Sequence, residues 1–367
     1  MIGAAIYMSN SNPKLDTTAS SDCIQTYMQQ QIDMGPRIPG TNASLAFQDW
    51  IFSKVANYPD YSIKNYTSTY KGVELRNFLI SSGDSMPPYL FGAHYDSRAR
   101  ATNDPNPDNR NLPVPGANDG ASGVAAILEL LNHMPTSVAS QIGFVLFDGE
   151  DQGTLGMIDE NGSSWQWIVG STNFVNALTT DQRSQISAFI LFDMIANPNL
   201  IIKRESGSNT TLFNEFSNIA DQLGYSDVFT NKDLGYGIED DHQPFLAASI
   251  PSLDIIDDLY NYPQWHTIQD DMAHVNPQNV AKIVDVSLGW LKQKTGTDLS
   301  SSTAVCPVVS TSSTKPTITS PTSSQESTST SRSNSGSSPI TWTWLSGLIA
   351  IPLIRKVVSQ RKSHLKK

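Results

Sequence analysis

Short apolar runs alternate along the chain with segments whose apolar residues recur at helical spacing. The runs NFLI, PYLFGAHYD, QIGFVLFD, AFILFDMI and IPSLDII are each bounded by Gly, Pro or charged residues, which is typical of buried parallel strands. The segments GASGVAAILELLNHM and NPQNVAKIVDVSLGWLKQK have helical spacing and follow a Gly-rich turn and an Asn-Pro start. The alternation predicts an α/β fold, a three-layer sandwich with a mostly parallel central sheet.

The pattern changes near the C-terminus, and we predict five segments. Residues 1–16 are interpreted as a remnant of an export signal, and residues 17–297 as the folded body. Residues 298–338 are rich in Ser and Thr, a composition that cannot bury a core and predicts a disordered stalk. An apolar segment, residues 339–358, precedes a basic tail, residues 359–367.

The apolar segment has three interpretations. It is uncharged only from Ile340 to Ile354, short of the roughly 20 residues that span a bilayer, although snorkelling of Arg355 and Lys356 would extend it. As a transmembrane helix it would anchor an outward-facing body at the cell surface, because the basic tail would stay inside. As a sorting segment it would be cleaved and leave a secreted protein. The third interpretation is a buried C-terminal helix.

Charge and cysteine content narrow the classes of function. The chain has 24 Lys and Arg against 35 Asp and Glu, a net charge of −11, and its basic tail makes the remaining body still more acidic. Such a body is a poor partner for nucleic acid, whose binding depends on Lys and Arg. Two cysteines exclude a disulfide-rich scaffold and a Cys-based zinc finger. Cys23 and Cys306 bracket the folded body, either as a disulfide or as two thiols.

Acidic residues and histidines follow nearly every apolar run. In an open α/β sheet, ligands bind beyond the carboxyl ends of the strands. Carboxylates gathered at that edge would repel one another unless a cation neutralised them, and Asp, Glu and His with little Cys suit a catalytic zinc. Each residue alone is a weak signal, since an acid such as Asp119 also caps helices. The residues are His94, Asp96, Asp119, Asp148, Glu150, Asp151, Asp193, Asp240, Asp241, His242 and His266.

Several motifs at these positions carry a resemblance to a known family. They are GPRIPGT, HYDSRARATNDPNPDNRNLPVPGANDGASGVA, FDGEDQG, WIVGS, FDMIANPN, DDHQPFL and QWHTIQDD. Between about Gly35 and Leu291 the chain resembles the zinc aminopeptidase-like family, and within it the glutaminyl-peptide cyclotransferases, especially the bacterial type. The run from His94 to Ala125 is specific for the superfamily, whereas DDHQPFL and WHT favour the cyclase branch. The resemblance implies a zinc exopeptidase-like fold for residues 17–297.

The resemblance implies two alternative metal centres. In a cyclase, one zinc would be held by Asp119, Asp151 and His266. In a two-metal aminopeptidase, His94 and Asp193 would hold a second zinc and Asp119 would bridge the two ions. Every one of these residues is present in the chain, so the number of zinc ions stays open at this point.

The resemblance also implies roles for the residues around the metal. Glu150 would be the general acid and base in both kinds of enzyme. Asp240 and Asp193 would complete the hydrogen-bond network of a cyclase. Trp265 and Trp167 would line the substrate pocket.

Two positions depart from the pattern of the family. Its common Glu-Glu pair is Glu150-Asp151 here, which shortens one ligand but keeps its chemistry. A histidine near a strand end in the animal cyclases corresponds to Asp254. Both departures weaken any transfer of detailed pocket geometry from the family.

The resemblance therefore implies a zinc-dependent acyltransferase that converts the N-terminal Gln of peptides or proteins to pyroglutamate and releases ammonia. The alternative is a two-zinc aminopeptidase that hydrolyses N-terminal residues; DDHQPFL and WHT favour the cyclase. A third hypothesis is an inactive surface-binding module on a stalk. Because Asp119, Glu150, Asp151 and His266 are intact, the third is the weakest.

Overall fold

A computed structural model describes residues 19–299 of the chain. In this range the strands are Ser62–Tyr70 (β1), Val73–Ser81 (β2), Tyr89–His94 (β3), Ile142–Phe147 (β4), Ala188–Asp193 (β5), Ile202–Arg204 (β6), Phe229–Asp233 (β7) and Ser252–Ile256 (β8). The α-helices are Ser21–Asp33 (α1), Asn42–Val55 (α2), Ala121–Asn132 (α3), Val169–Ala177 (α4), Thr180–Gln185 (α5), Thr210–Leu223 (α6), Gln243–Ala247 (α7) and Pro277–Thr295 (α8).

Several predictions concern residues outside this range. The N-terminal segment 1–16, all but the first two residues of the stalk, the apolar segment 339–358 and the basic tail 359–367 lie outside the described residues. Of the described helices, none combines the length and apolar character that crossing a bilayer requires. Cys23 is buried in α1 and is disulfide-bonded. Cys306 lies outside the described residues, so its pairing stays a prediction.

Six of the strands form one sheet in the order β1-β2-β4-β3-β5-β8. Strands β4, β3, β5 and β8 run parallel, which confirms the predicted mostly parallel sheet. The run NFLI was predicted to be a parallel strand, and this prediction was wrong. NFLI lies in β2, which is antiparallel to both of its neighbours. Lys71 and Gly72, both at positive φ, link β1 to β2, and so short a connection joins only antiparallel strands.

Alternating side chains of the parallel strands divide the core between the two faces of the sheet. On β5, Ile190 and Phe192 pack in the core that contains residues of α1, α2, α3, α6 and α8. Phe189 and Leu191 point into a second core with residues of α4 and α7. Since successive strand residues face opposite sides, helices cover both faces. The predicted three-layer sandwich is confirmed.

The carboxyl ends of the parallel strands carry polar residues into one crevice. Strand β3 ends at His94 and β5 at Asp193. Helix α3 begins after Gly120, which has φ +103°. A side chain at this position would lie 2.7 Å from the carbonyl oxygen of Asp96, so only glycine allows the turn that carries Asp119 to come this close to β3.

Phe245 fixes helix α7, which follows the DDH sequence, to the sheet. Its ring stacks on Phe189 with centroids 3.8 Å apart and planes 6° apart. We expect Phe245→Leu to lower the free energy of unfolding by about 1 kcal/mol, because the aromatic pair is lost while the volume is largely kept. Urea unfolding measures the change. The control Phe52→Leu, at a side chain that is 39% exposed and meets the Phe78 ring edge-on without stacking, should change it by less than about 0.5 kcal/mol. Equal losses would contradict the role given to the stack.

Candidate metal centre and active site

Two groups of metal-binding side chains lie at the carboxyl edge of the sheet. The His94 group consists of His94, Asp119 and Asp193; the Asp151 group consists of Asp119, Asp151 and His266. Within each group the ligand atoms lie within 4.8 Å of one another, and all these residues are buried. The structure therefore brings together every residue that the resemblance assigned to a metal.

Asp119 lies between the two groups. Its Oδ1 is 3.1 Å from His94 Nε2 and its Oδ2 is 3.5 Å from His266 Nε2. His94 Nε2 is also 3.2 Å from Asp193 Oδ1, and His266 Nε2 is 3.0 Å from Asp151 Oδ1. Two atoms bound tetrahedrally to one zinc lie about 3.3 Å apart, given zinc–ligand distances of roughly 2.0–2.1 Å. Both groups have this spacing, and Asp119 has one oxygen for each.

Three carboxyl groups around the centre, those of Glu150, Asp151 and Asp240, have raised pKa values. Burial raises the pKa of Glu150 well above its usual range and that of Asp151 to about 6. Burial, followed by the charge of Asp193, raises the pKa of Asp240 to about 7. The common cause is that several carboxylates are withdrawn from water in one place. A bound divalent cation would remove that penalty.

The two histidines differ in their electrostatic surroundings. Burial, together with the positive charge of Arg98, lowers the pKa of His266 to about 3, so that its ring is neutral, the form that binds a metal. Burial also acts to lower the pKa of His94, but hydrogen bonds with Asp119 and Asp193 raise it well above its usual value.

The donor set fits zinc. Each group offers imidazole nitrogen and carboxylate oxygen, the ligands of catalytic zinc sites with three protein donors and an open position. Asp151 Oδ2 is buried without a hydrogen-bond partner among the described residues. Leaving such an atom without a partner is costly, and a cation would supply one.

Asp96 holds the chain segment that carries Glu150, the predicted base, and Asp151, a predicted metal ligand. Its Oδ1 accepts a hydrogen bond from the backbone N–H of Glu150 at 3.0 Å. Its Oδ2 accepts from the backbone N–H of Asp151 at 3.2 Å and from Gln152 Nε2 at 2.9 Å. These bonds fix the turn after β4, so Glu150 and Asp151 are presented side by side.

Asp270 supports Asp119 in the same way, a role that sequence reasoning missed. It accepts hydrogen bonds from the backbone N–H groups of Asn118 at 2.8 Å and Asp119 at 3.1 Å, and from the hydroxyl of Tyr262 at 2.9 Å. Asp270 belongs to the motif QWHTIQDD, but in the sequence it looks like any acidic residue of a loop. Only the fold brings it to Asp119, more than 150 residues away in sequence.

We expect Asp270→Asn to lower the affinity for zinc by about 10- to 100-fold, the usual cost of losing a group that orients a ligand. Both oxygens of the Asp270 carboxylate accept hydrogen bonds from backbone N–H groups. In the variant, the NH₂ group of the amide would replace one of these oxygens, and it cannot accept such a bond. Competition with a chromogenic chelator measures the affinity. Asp271→Asn is the matched control, because Asp271 instead bonds to Ala273 and His274. Equal affinities of the two variants would contradict the role of Asp270.

Arg98 connects the metal centre to the substrate pocket. Its Nη1 donates to Asp151 Oδ1 at 3.1 Å, and its guanidinium lies 4.8 Å from the centre of the Trp167 ring. It also donates to the hydroxyl of Thr102 and to the backbone oxygens of Asp151, Gly153 and Thr154.

A cavity of about 300 Å³, here called the catalytic cavity, opens onto both metal groups. Glu150, Asp240, Trp167 and Trp265 line it as the resemblance implied, and Met194, Ile238 and Ile256 add apolar surface. The rings of Trp265 and Trp167 lie 4.1 and 5.8 Å from the ring of His266. His266 itself has φ +57°, a strained conformation of the kind found at functional sites.

Behind Asp240 lies a buried chain of ionisable groups. His242 Nδ1 is 3.5 Å from Asp254 Oδ2, and His242 Nε2 is 3.3 Å from Glu205 Oε1. Although burial acts to raise it, the hydrogen bond and charge of His242 lower the pKa of Glu205 to about 2. Asp254, at the position that departs from the animal pattern, therefore faces His242. Sequence reasoning missed Glu205, which lies in no recognisable motif.

Proteins of both predicted activities are similar to this chain. A solved glutaminyl cyclase of Porphyromonas gingivalis is 26% identical, with a TM-score of 0.66 over 76% of this chain and 99% of that one. A solved leucine aminopeptidase precursor of Bacteroides thetaiotaomicron is 28% identical, with a TM-score of 0.65 over 74% and 96%.

A curated glutaminyl-peptide cyclotransferase of Dictyostelium discoideum is 26% identical over 237 residues, 56% of this chain and 61% of the relative. The chain thus spans about three fifths of the length of that relative. The profile of peptidase family M28 matches residues 80–291. This range covers more than half of the chain and includes both metal groups, and the protein belongs to peptidase family M28.

Proposed function

We propose that this protein is a zinc-dependent glutaminyl cyclase, which converts the N-terminal Gln of peptides or proteins to pyroglutamate and releases ammonia. One observation carries the proposal. A single small cavity places Glu150 and Asp240 against the Asp151 group, between the rings of Trp167 and Trp265. The similarity to a solved glutaminyl cyclase over nearly all of that protein supports it.

The proposed reaction requires one base and one electrophilic centre. Asp119, Asp151 and His266 would hold the zinc, which would supply Lewis-acid polarisation of the γ-amide carbonyl of Gln. Glu150 takes a proton from the α-amino group, whose nitrogen then bonds to the γ-carbonyl carbon. The same carboxyl gives the proton to the amide nitrogen as its bond to carbon breaks, and ammonia leaves. The reaction consumes no water.

The residues around Glu150 hold the substrate in the cyclising geometry. Asp240 and Asp193 line the catalytic cavity beside Glu150 and can accept hydrogen bonds from the α-amino and amide N–H groups of Gln. The flat rings of Trp167 and Trp265 limit the space for water. Holding the amine close to the carbonyl lowers the activation barrier by about 7 kcal/mol in well-oriented intramolecular reactions.

The second candidate is an aminopeptidase, and the His94 group is the observation that favours it. Its spacing matches that of the Asp151 group, and Asp119 offers one oxygen to each. Two zinc ions would activate a water that attacks the first peptide bond, with Glu150 as the base. We propose one zinc, in the Asp151 group, because the cyclase reaction needs no metal-bound water.

We also propose that the catalytic body works outside the cell, at its surface, anchored through the C-terminal segment or released by cleavage there. The disulfide bond of Cys23 supports an oxidising compartment. The apolar segment followed by a basic tail supports the anchor. Separating the membrane and soluble fractions of cells tests this; recovery in the cytosol would contradict it.

Titration of the metal-free protein with zinc tests the proposed function. Ammonia release from Gln-peptides and amino-acid release from anilides are followed together. The cyclase proposal predicts that ammonia release is complete at one zinc per chain. Amino-acid release that requires two zinc ions would establish the aminopeptidase instead.

A further inference from the structure

A second cavity lies beside the catalytic cavity, and the proposed reaction does not use it. This side cavity measures about 430 Å³, and its lining residues are Thr154, Ser164, Trp165, Gln166, Trp167, Ile168, Thr172 and Glu239. Trp167 and Glu239 line both cavities. The two spaces therefore meet at this pair of residues, and a chain that leaves the metal centre in this direction passes Glu239.

Glu239 is the only charged residue that lines the side cavity. Its carboxylate is exposed, and within residues 19–299 no hydrogen bond or ion pair involves it. The other side chains around the cavity offer hydroxyl groups, an amide and apolar surface, none of which neutralises a negative charge. The carboxylate is thus free to interact with a charged group of a bound molecule.

The size of the catalytic cavity limits what it holds. At about 300 Å³ it lies at the lower end of the range of ligand pockets, enough for an N-terminal residue and part of the next. The rest of a peptide substrate must lie outside it. Glu239 lines the catalytic cavity as well as the side cavity, so the second and third residues of a peptide that leaves in this direction would pass its carboxylate.

We infer that Glu239 selects substrates with Lys or Arg at the second or third position, and that the side cavity receives this part of the peptide. The inference rests on the proposed function, since it takes the N-terminal residue to lie at the metal. A basic side chain there would pair with Glu239, whereas an acidic one would face both Glu239 and the carboxylates of the metal centre. The acidic excess of the whole chain acts in the same direction.

The expected effect is modest, because the pair would be partly exposed to water. Exposed ion pairs contribute about 0.2–1 kcal/mol, so we expect a basic peptide to be preferred to its neutral counterpart by about two- to fivefold in kcat/KM. The preference should shrink as salt is added, since the screening length is only about 10 Å at 0.1 M.

The test compares zinc-loaded wild type, Glu239→Gln and Glu239→Lys on the tripeptides Gln-Lys-Ala, Gln-Ala-Lys, Gln-Ala-Ala and Gln-Glu-Ala. We expect Glu239→Gln to remove the preference for lysine and Glu239→Lys to reverse it in favour of glutamate, where the preference is the ratio of kcat/KM for the charged peptide to kcat/KM for Gln-Ala-Ala with the same variant. Glu160→Gln is the matched control: it makes the same change of charge at an exposed residue that lines neither cavity. It should leave the preference intact.

A lysine preference that survives both Glu239 variants would overturn the inference. So would a preference that instead responds to Tyr260→Ala, an exposed residue that lines the catalytic cavity but not the side cavity, because the peptide would then leave past that residue. Calorimetry of the same peptides on the zinc-loaded protein gives a readout that does not require turnover. Lysine-selective binding that depends on Glu239, without ammonia release, would refute the cyclase proposal but support the peptide path past Glu239. Ammonia release without charge selectivity would support the cyclase proposal but refute that peptide path.

Discussion

Replacing Glu150 with Gln is expected to lower kcat for cyclisation by about 10²- to 10⁴-fold, the usual contribution of a positioned general base. The amide keeps the shape of the side chain but cannot take the proton of the α-amino group. Glu150 is 6% exposed and lines the catalytic cavity, where the proposed reaction takes place. Initial rates of ammonia release from a Gln-peptide measure the loss.

Zinc content separates a chemical role of Glu150 from a structural one. Since Glu150 belongs to neither metal group, Glu150→Gln should bind as much zinc as wild type and show an unchanged thermal unfolding midpoint. The exposed Glu160→Gln should retain full activity. A variant at Glu150 that loses its zinc, or that keeps more than a tenth of the activity, would contradict the assignment.

Replacing His266 with Ala is expected to remove zinc from the Asp151 group and to lower kcat by about 10³-fold or more, because metal polarisation contributes several kcal/mol to such reactions. Neutral His266 is the only nitrogen ligand of this group, its Nε2 being 3.0 Å from Asp151 Oδ1. The two remaining carboxylates would form an incomplete site.

His94→Ala is the matched variant on the other side of Asp119. With one zinc in the Asp151 group, it should keep one zinc per chain and lose less activity than His266→Ala. The number of zinc ions per chain, measured in both variants after dialysis, shows which group holds the metal. Two zinc ions in wild type and one in each variant, with activity abolished in both, would show that the His94 group is a metal site and would favour the aminopeptidase.

The parallel part of the sheet and the metal residues could be predicted because one physical rule governs both. Buried parallel strands are continuous apolar runs, and their carboxyl ends meet at one edge. The acids and histidines that follow PYLFGAH, QIGFVLF and AFILF therefore had to lie near one another. Their assignment to particular metal groups came from the resemblance, and the distances around Asp119 agree with it.

Other features had no such signal. Strand β1, SIKNYTSTY, lies at the edge of the sheet and is largely polar, so its sequence contains no apolar run. Strands β6 and β7 are short and form a separate small sheet. Asp270 and Glu205 act on groups far away in sequence, and only tertiary packing brings them there. Local patterns contain no information on such contacts.

The most direct test of the central claim follows the side-chain nitrogen of the substrate. A peptide with an N-terminal Gln, isotopically labelled at its amide nitrogen, is incubated with the zinc-loaded protein, and the products are analysed by mass spectrometry. A glutaminyl cyclase must release all of the label as ammonia and leave a peptide of unchanged length with a blocked N-terminus. Release of free glutamine that retains the label, together with a peptide shorter by one residue, would contradict the proposal and identify an aminopeptidase.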